Sequence, residues 1–561
     1  MPNKFFPLSI VAIISITALA SCDNTPDVPP DPPFENGERI PEDLTSTNII
    51  DDDYRNFYEI FVGSYYDSNS DHIGDLRGVI EKLDYIEDLG YNGIWLMPIF
   101  TSPSYHKYDS ANYFEIDPNY GTMDDLEALV EACHERGINI ILDLMINHSS
   151  VTNPLFNDAA KDYVRYLNNP SNYAAPSTST NKDWYVFRDS PMNGYSELNI
   201  DGKTIYYESN FSPTMPEFNL DNDDVRTYFE EVAAYYLNLG IDGFRLDAVI
   251  YYYYMNHEKN YEYLTEFHDY CASIKEDVYI VGECWQNNSV IKDYYANTSL
   301  ESYFYFGTQG PTGDIVYSTG SNGAFADIYY NSIVTGMPEN TMGPNGVPSV
   351  PAPFLDNHDV SRIARSNVEE TKFFYGLLAM MNGTPFTYYG DEIGMVGSKT
   401  ATSDLDVRTY MLWDEGDFEG KCNSPQGANE SYIHPPVDKQ LADDNSILNY
   451  YKKANLLRNQ LPAIARGEIT NVGTKTKLTL NFVSPTSEDN NFYMNIEKTY
   501  GDEVINIIIN YNTNRFVTYD YLEEGYNEVV GQLVVDANTY IGLDEEGNLS
   551  LPPRAIAIVK Q

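Results

Sequence analysis

Positive charge is scarce in this chain. Lys and Arg number 34 against 84 Asp and Glu in 561 residues, a net charge of −50. Such a surface repels a phosphate backbone, which excludes nucleic acid as a partner. It excludes a polybasic contact with anionic lipid on the same ground. Cysteine is also scarce, at five residues, too few for a disulfide-dense scaffold. The apolar run of residues 5–20 stops short of the ~20 residues that a membrane span needs. Tryptophan, at four residues, is far outnumbered by 49 tyrosines. A tyrosine offers a flat apolar face and a hydroxyl, which suits sugar binding as well as core filling. What the chain does hold is apolar mass. It is 42% hydrophobic and 14% aromatic, beyond the range of a disordered chain. Its length predicts one large domain with one or two smaller ones.

The run FFPLSIVAIISITALA behind Lys4 reads as the core of an export signal. Leu19-Ala20-Ser21-Cys22 follows it and resembles the lipobox of bacterial lipoproteins. That resemblance implies cleavage after residue 21 and acylation of Cys22, with acyl chains as the sole membrane contact. The expected location is the bacterial cell envelope, on the outer membrane and facing outward. Residues 22–45 are rich in Pro, Asp and Glu and predict an extended tether. Cys133, Cys271, Cys284 and Cys422 have no metal-ligand spacing and read as buried filler.

From about residue 54, short apolar runs alternate with amphipathic stretches. Strands are predicted at Phe57–Val62, Gly93–Met97, Ile138–Leu144, Gly243–Asp247, Val278–Gly282, Tyr303–Phe306, Ala352–Leu355 and Pro385–Tyr389. Helices are predicted at Leu76–Leu89, Met123–Arg136, Val225–Leu239, Tyr261–Ile274 and Thr371–Met381. This alternation points to βαβ units, and eight strands fit a closed (β/α)8 TIM barrel. The barrel is expected to span residues 46–147 and 221–468. The connection after the third strand is abnormally long, and residues 148–220 predict an inserted small domain, with helix only from Val225 onward. After residue 468 only strand-like alternation remains, at Lys477–Val483, Val504–Tyr511, Val529–Val535 and Ala555–Val559. Residues 469–561 are therefore expected to form a C-terminal antiparallel β-sandwich.

The strand ends carry the chemistry. Asp143, Asn147 and His148 follow the third strand, Arg245 and Asp247 the fourth, Glu283 the fifth, and His358 and Asp359 the seventh. Chemistry in such a barrel sits at the mouth lined by these ends. Gathering so many carboxylates there is costly unless they are paired, so it is a poor structural core. Two carboxyls facing one glycosidic bond are the minimal kit for glycoside hydrolysis. Arg245 and Asp247 share a strand face, so the guanidinium favours a charged nucleophile at Asp247. Glu283, in an apolar setting beside other acids, suits the protonated general acid.

Four ordered blocks now resemble glycoside hydrolase family 13, the α-amylase family. They are Asp143-Leu-Met-Ile-Asn147-His148, Gly243-Phe-Arg245-Leu-Asp247-Ala-Val249, Val281-Gly-Glu283-Cys-Trp285 and Phe354-Leu-Asp356-Asn-His358-Asp359. Supporting blocks are Tyr105-His-Lys-Tyr108-Asp109, Met215-Pro-Glu-Phe-Asn219 and Gly383-Thr-Pro-Phe-Thr-Tyr-Tyr389-Gly-Asp-Glu. The Met-Pro-Glu-Phe-Asn block is similar to a subgroup intermediate between α-amylases and oligoglucosidases. The resemblance implies a retaining hydrolase of α-1,4-glucosidic bonds in starch, maltodextrins or maltooligosaccharides; with the lipid anchor, a starch-uptake assembly is the expected partner. It implies Asp247 as nucleophile, Glu283 as acid and base, and Asp359 as transition-state stabiliser. Tyr108, His148, Arg245 and His358 would hold the central sugar. Two alternatives stay open: an exo- or α-1,6-acting oligoglucosidase or transglycosylase on the same barrel, and a barrel that only binds starch. After Asp247-Ala-Val, starch-cutting members often continue Lys-His, whereas this chain reads Ile250-Tyr-Tyr-Tyr-Tyr254.

Asp67-Ser-Asn69-Ser-Asp71-His-Ile73-Gly-Asp75 sets oxygen donors at alternate positions. The pattern suits a hard cation, Ca²⁺ with Mg²⁺ as the alternative, in a structural role. The expected ligands are Asp67, Asn69, Asp71, the Ile73 carbonyl and Asp75. A similar loop follows the first strand in part of the family, with glycines where Ser70 and His72 stand here. The competing reading is an acidic turn with Asp75 as a helix cap.

Overall fold

The computed structural model describes residues 49–177, 179–320, 325–332, 349–472 and 493–561, apart from 523, 544 and 545. It also describes residues 38, 39, 343, 344 and 346. Cys22, most of the tether, and the strand expected at Lys477–Val483 lie outside the described residues.

Eight parallel strands form the centre: β1 (Phe57–Ile60), β2 (Gly93–Leu96), β3 (Asn139–Leu144), β4 (Gly243–Leu246), β5 (Tyr279–Gly282), β6 (Ser302–Tyr305), β7 (Ala352–Pro353) and β8 (Phe386–Tyr388). Each pairs with the next, and β8 pairs with β1. The ring closes between β7 and β8 through one parallel bridge, Phe354 to Phe386. This is the (β/α)8 barrel expected from the sequence. Most strands are buried on both faces, which explains their unbroken apolar runs. Stacked rings fill the interior: Phe57 lies on Phe386 at 4.7 Å and Trp95 meets Phe304 at 5.5 Å. Two residues on from Phe57, and so on the same side of β1, stands a buried acid, Glu59. Gly243 lets β4 lie close to β5, since a Cβ there would sit 1.8 Å from the Tyr279 carbonyl oxygen.

Helices follow the strands. Met123–His134 opens with a capping box between Thr122 and Asp125 and buries Leu126, Leu129, Val130 and Cys133 at helical spacing. Asp223–Leu239 is capped by Asn222 and stopped by Gly240, whose φ is +117°. The stretch expected as one helix over Leu76–Leu89 is two, Leu76–Glu81 and Leu83–Asp88. The break falls at Lys82, whose ammonium lies over the rings of Tyr66 and Trp413. The four described cysteines are buried and free.

The insertion after β3 starts with a 15-residue helix, Pro154–Asn168, where only loop was expected. Its apolar face packs on a small antiparallel sheet, with Ala160 and Val164 against Ile205. That sheet runs Phe187–Arg188, Lys203–Glu208, Tyr195–Ile200. Asp201 and Gly202, at φ +50° and +80°, turn its hairpin.

The C-terminal region is two antiparallel sheets. The first is ordered Glu468–Val472, Tyr493–Tyr500, Glu503–Asn510, Ala555–Lys560, Glu528–Leu533. The second is ordered Glu38–Arg39, Gly542–Leu543, Leu549–Leu551, Val517–Tyr519. Ile505, Ile507 and Ile509 pack in one core with Leu457 and Ile464 of the barrel helices, while Ile508 faces Leu549 and Leu551 of the second sheet. Both faces of Glu503–Asn510 are thus covered.

Candidate active site

Arg245 on β4 is fully buried and organises the barrel mouth. Its Nη1 donates to Asp143 Oδ1 at 2.8 Å and to Asp247 Oδ1 at 2.6 Å, and its Nη2 lies 3.0 Å from Glu283 Oε1. One guanidinium therefore gathers carboxyls from the ends of β3, β4 and β5. Buried charge of this density is tolerable only because it is paired and hydrogen-bonded. Glu283 Oε2 also accepts from the Ala248 amide at 3.1 Å. Ala248 sits in the left-handed region, φ +50°, directly after Asp247, a conformation that costs a non-glycine residue about 1 kcal/mol. Burial pushes the Glu283 carboxyl up; Arg245 pulls it down, and Asp247 and Asp359 raise it again, to about 7. Asp143 is raised to about 6, first by burial.

The opposite rim is built around His358. Its Nδ1 lies 2.5 Å from Glu59 Oε1, and its Nε2 lies 2.6 Å from the Tyr108 hydroxyl and 3.1 Å from Asp359 Oδ2. Tyr108 stacks on His358 with 18° between the rings and donates to Asp143 Oδ2 at 2.9 Å. Burial alone would lower the His358 imidazole, but Asp359 and Glu59 raise it to about 9. Asp359 is 25% exposed. Against desolvation, the charges of His358, Arg408 and Lys399 hold its carboxyl well below the usual range. Arg408 Nη2 lies 3.1 Å from Asp359 Oδ1 and 2.7 Å from Asp404 Oδ2, and Lys399 Nζ lies 3.5 Å from Asp359 Oδ1. His148, buried after β3, is pushed toward its neutral form by burial. It packs against Phe211 of the inserted domain at 5.4 Å.

The site thus brings together Asp247, Glu283, Asp359, Tyr108, Arg245 and His358 by direct contact, with His148 on the same rim. Glu59, Arg408, Lys399 and Asp404 were not singled out from the sequence. A lone acid inside the apolar run Phe57–Val62 was the available signal for Glu59; the other three lie in a loop without periodicity. The aromatic stretch after Ala248 divides: Tyr252 is buried, Tyr251 packs on Phe211 at 4.6 Å, and Tyr254 is 58% exposed. Trp285, 41% exposed, stacks on Phe306 at 5.1 Å on the Glu283 side.

In the loop after β1, the side chains expected as cation ligands are turned largely onto backbone amides. Asp67 Oδ1 accepts from Asn69 and Ser70 N–H, and Oδ2 from His72 N–H. Asn69 Oδ1 accepts from Asp71 N–H, and Asp71 Oδ1 from Ile73 N–H. Asp75 caps the helix Leu76–Glu81 through Gly78 N–H at 2.7 Å, the role given by the competing reading. Among the described residues no three acidic, histidine or cysteine side chains converge as a metal cage. Ser70 and His72 both adopt left-handed backbone, φ +69° and +67°. The donor chemistry, all oxygen, fits a hard cation.

Comparison with known proteins agrees with this geometry. Residues 59–467 match the sequence family described as "Alpha amylase, catalytic domain". Alpha-amylase 3 of Dictyoglomus thermophilum is 36% identical over 438 residues, covering 76% of this chain and 82% of its own length. A cyclomaltodextrinase of Geobacillus thermopakistaniensis is 30% identical over 78% of this chain and 62% of its own length. The structure of Amy13B from Eubacterium rectale superposes with a TM-score of 0.80 at 35% identity, over 92% of this chain and 97% of that one. The chain therefore belongs to the α-amylase family, glycoside hydrolase family 13, and is a retaining glycoside hydrolase of α-glucans.

Proposed function

We propose that this enzyme cleaves α-1,4-glucosidic bonds in maltodextrins and maltooligosaccharides derived from starch. Asp247 attacks the anomeric carbon and forms a glucosyl-aspartate. Glu283 gives its proton to the leaving oxygen, then takes one from the water that releases the sugar. Asp359 faces the positive charge that develops on the ring. Tyr108, His148, Arg245 and His358 fix the central sugar and the carboxyls around it. The observation that carries this reading is the single guanidinium of Arg245, with Asp247 on one nitrogen and Glu283 on the other. Retention needs two carboxyls about 5–5.5 Å apart, and a shared fork supports that spacing. The split of roles follows from environment, since Glu283 stays protonated near neutrality.

The rim favours short substrates. Tyr251, Phe211 and Trp285 offer ring faces where a long helical glucan would meet charged handles in many starch-cutting members. A relative named cyclomaltodextrinase supports the same preference. Product analysis on amylose, pullulan, isomaltose and maltotriose tests the reading. We expect maltose and glucose of retained configuration from amylose and maltotriose, and no turnover by Glu283→Gln. Turnover confined to isomaltose would replace this reading with the α-1,6-acting one, and unchanged turnover in the variant would remove Glu283 as the acid.

Two further assignments belong to the same proposal. The loop Asp67–Asp75 holds a structural Ca²⁺ through Asp67, Asn69, Asp71, the Ile73 carbonyl and Asp75; its left-handed residues and all-oxygen donor set support this. Cys22 bears the acyl chains that tether the enzyme to the bacterial outer membrane, where it faces starch fragments and an uptake assembly; the lipobox supports this.

A further inference from the structure

Glu59 is a fully buried carboxylate on β1, placed among stacked aromatic rings. A charge there requires a specific counter-charge. Its contact is Nδ1 of His358, a residue that reaches it from the far side of the barrel closure. The protonation of His358 follows from hydrogen-bond accounting. Glu59 Oε1 lies 2.5 Å from Nδ1, a contact that a carboxylate makes by accepting a ring proton. The Tyr108 hydroxyl has one hydrogen; when that goes to Asp143 Oδ2, the 2.6 Å contact with Nε2 is made by a second ring proton. In that arrangement both ring nitrogens donate and the ring is an imidazolium, the direction in which Asp359 and Glu59 push it. That cation, with Arg408 and Lys399, faces Asp359. Arg408 Nε also donates to the His358 carbonyl at 3.1 Å, which fixes the backbone that carries both residues.

We propose that Glu59 is a positioning residue that holds His358 as a doubly protonated ring and, through it, keeps Asp359 charged and aimed into the mouth. It never touches substrate. The inference rests on the reading above in which Asp359 stabilises the transition state. The chain of contacts runs β1 carboxylate, imidazolium, rim carboxylate, so a charge buried on the first strand sets the electrostatics at the end of the seventh. The titratable and charged groups around His358 are Glu59 from β1, the neutral Tyr108 from the loop after β2, Asp143 from β3, Asp359 from its own loop, and Arg408 from the loop after β8. Arg245 lies behind Tyr108 at 5.8 Å from its ring.

Glu59→Gln separates charge from shape. The amide is isosteric and can still accept from or donate to Nδ1, so the fold is kept while the ring is free to become neutral. We expect the ratio of variant to wild-type kcat/KM to fall by roughly tenfold between about pH 5 and about pH 8, as His358 loses its second proton. Taking the ratio removes the titration of Glu283, which both enzymes share. The NMR-detected titration of His358 should move down in Glu59→Gln, and Glu59→Asp should restore most of the wild-type profile. A ratio that stays flat with pH, whether at one or at a uniformly reduced level, would overturn the proposal, because a merely structural role lowers activity equally at every pH. Activity lost in Glu283→Gln with a flat Glu59→Gln ratio would retain the hydrolase reading and remove only this one.

Discussion

At the scale of single residues, the site works by sorting protons among groups that touch each other. Asp247, Glu283 and Asp143 share one cation, yet Glu283 keeps its proton to about pH 7 while Asp359 is charged throughout the neutral range. The acid must be protonated to act. The rate therefore depends on a proton that is fully present below about 7 and is lost as pH rises through that value. We expect kcat/KM to fall about tenfold per pH unit on the alkaline side of that point. Because Asp359 is held low, its protonation does not limit the acid side until strongly acidic pH. A pH–rate profile on maltotriose checks this, and an alkaline limb beginning above about pH 9 would rule out Glu283 as the titrating group.

At the scale of elements, the loop between β1 and Leu76–Glu81 shows what local pattern can and cannot announce. Its alternating oxygens, and a strand before it, were legible in sequence; the direction in which those oxygens point was not, since each could serve an amide or a cation. If the loop takes Ca²⁺, removing the ion with a chelator should lower the thermal midpoint by about 2–4 °C, with recovery on adding Ca²⁺ back. Asp71→Asn should blunt the shift, and a midpoint indifferent to chelator and Ca²⁺ would end the assignment. The barrel strands were readable because apolar runs ended in acids, histidines and an arginine, which have no place in a core. Glu59 escaped notice because its partner lies about three hundred positions away, and nothing local marks a carboxylate as paired. The helix Pro154–Asn168 escaped for another reason. Its apolar face is short on large aliphatic residues, with Ala159, Ala160 and Val164 beside one Phe156, although the Asn153 cap and Pro154 at the first turn were sufficient signs of its start.

At the scale of the molecule, three of the four hydrophobic cores among the described residues follow one another from the barrel to the C-terminal sheets. The barrel helices share apolar contacts with one face of the first C-terminal sheet, whose other face covers the second sheet. Lys498, buried between them, donates to the carbonyls of Met380 and Ile464 at 2.8 and 2.6 Å, so the terminal domain caps helix ends of the barrel. The short strand Glu38–Arg39 lies on the edge of the second sheet, next to Gly542–Leu543. This places Glu38 and Arg39 beside the C-terminal domain, about 16 residues after Cys22 by sequence. If Cys22 is acylated, the enzyme should sediment with membranes, and Cys22→Ser should release it into the soluble fraction with its turnover of maltotriose unchanged; wild-type protein found wholly soluble would remove the anchor. The cylinder itself has one thin seam. Between β7 and β8 one parallel bridge and the Thr384 N–H bond to the Pro351 carbonyl stand where a ladder runs elsewhere, and β7 is two residues long. Side chains cross that seam beside Asp359: Glu59 meets His358, Arg408 meets Asp359 and the His358 carbonyl, and Arg362 meets Asp391 at 2.8 Å, so the mouth is held there by charge where backbone pairing is thin.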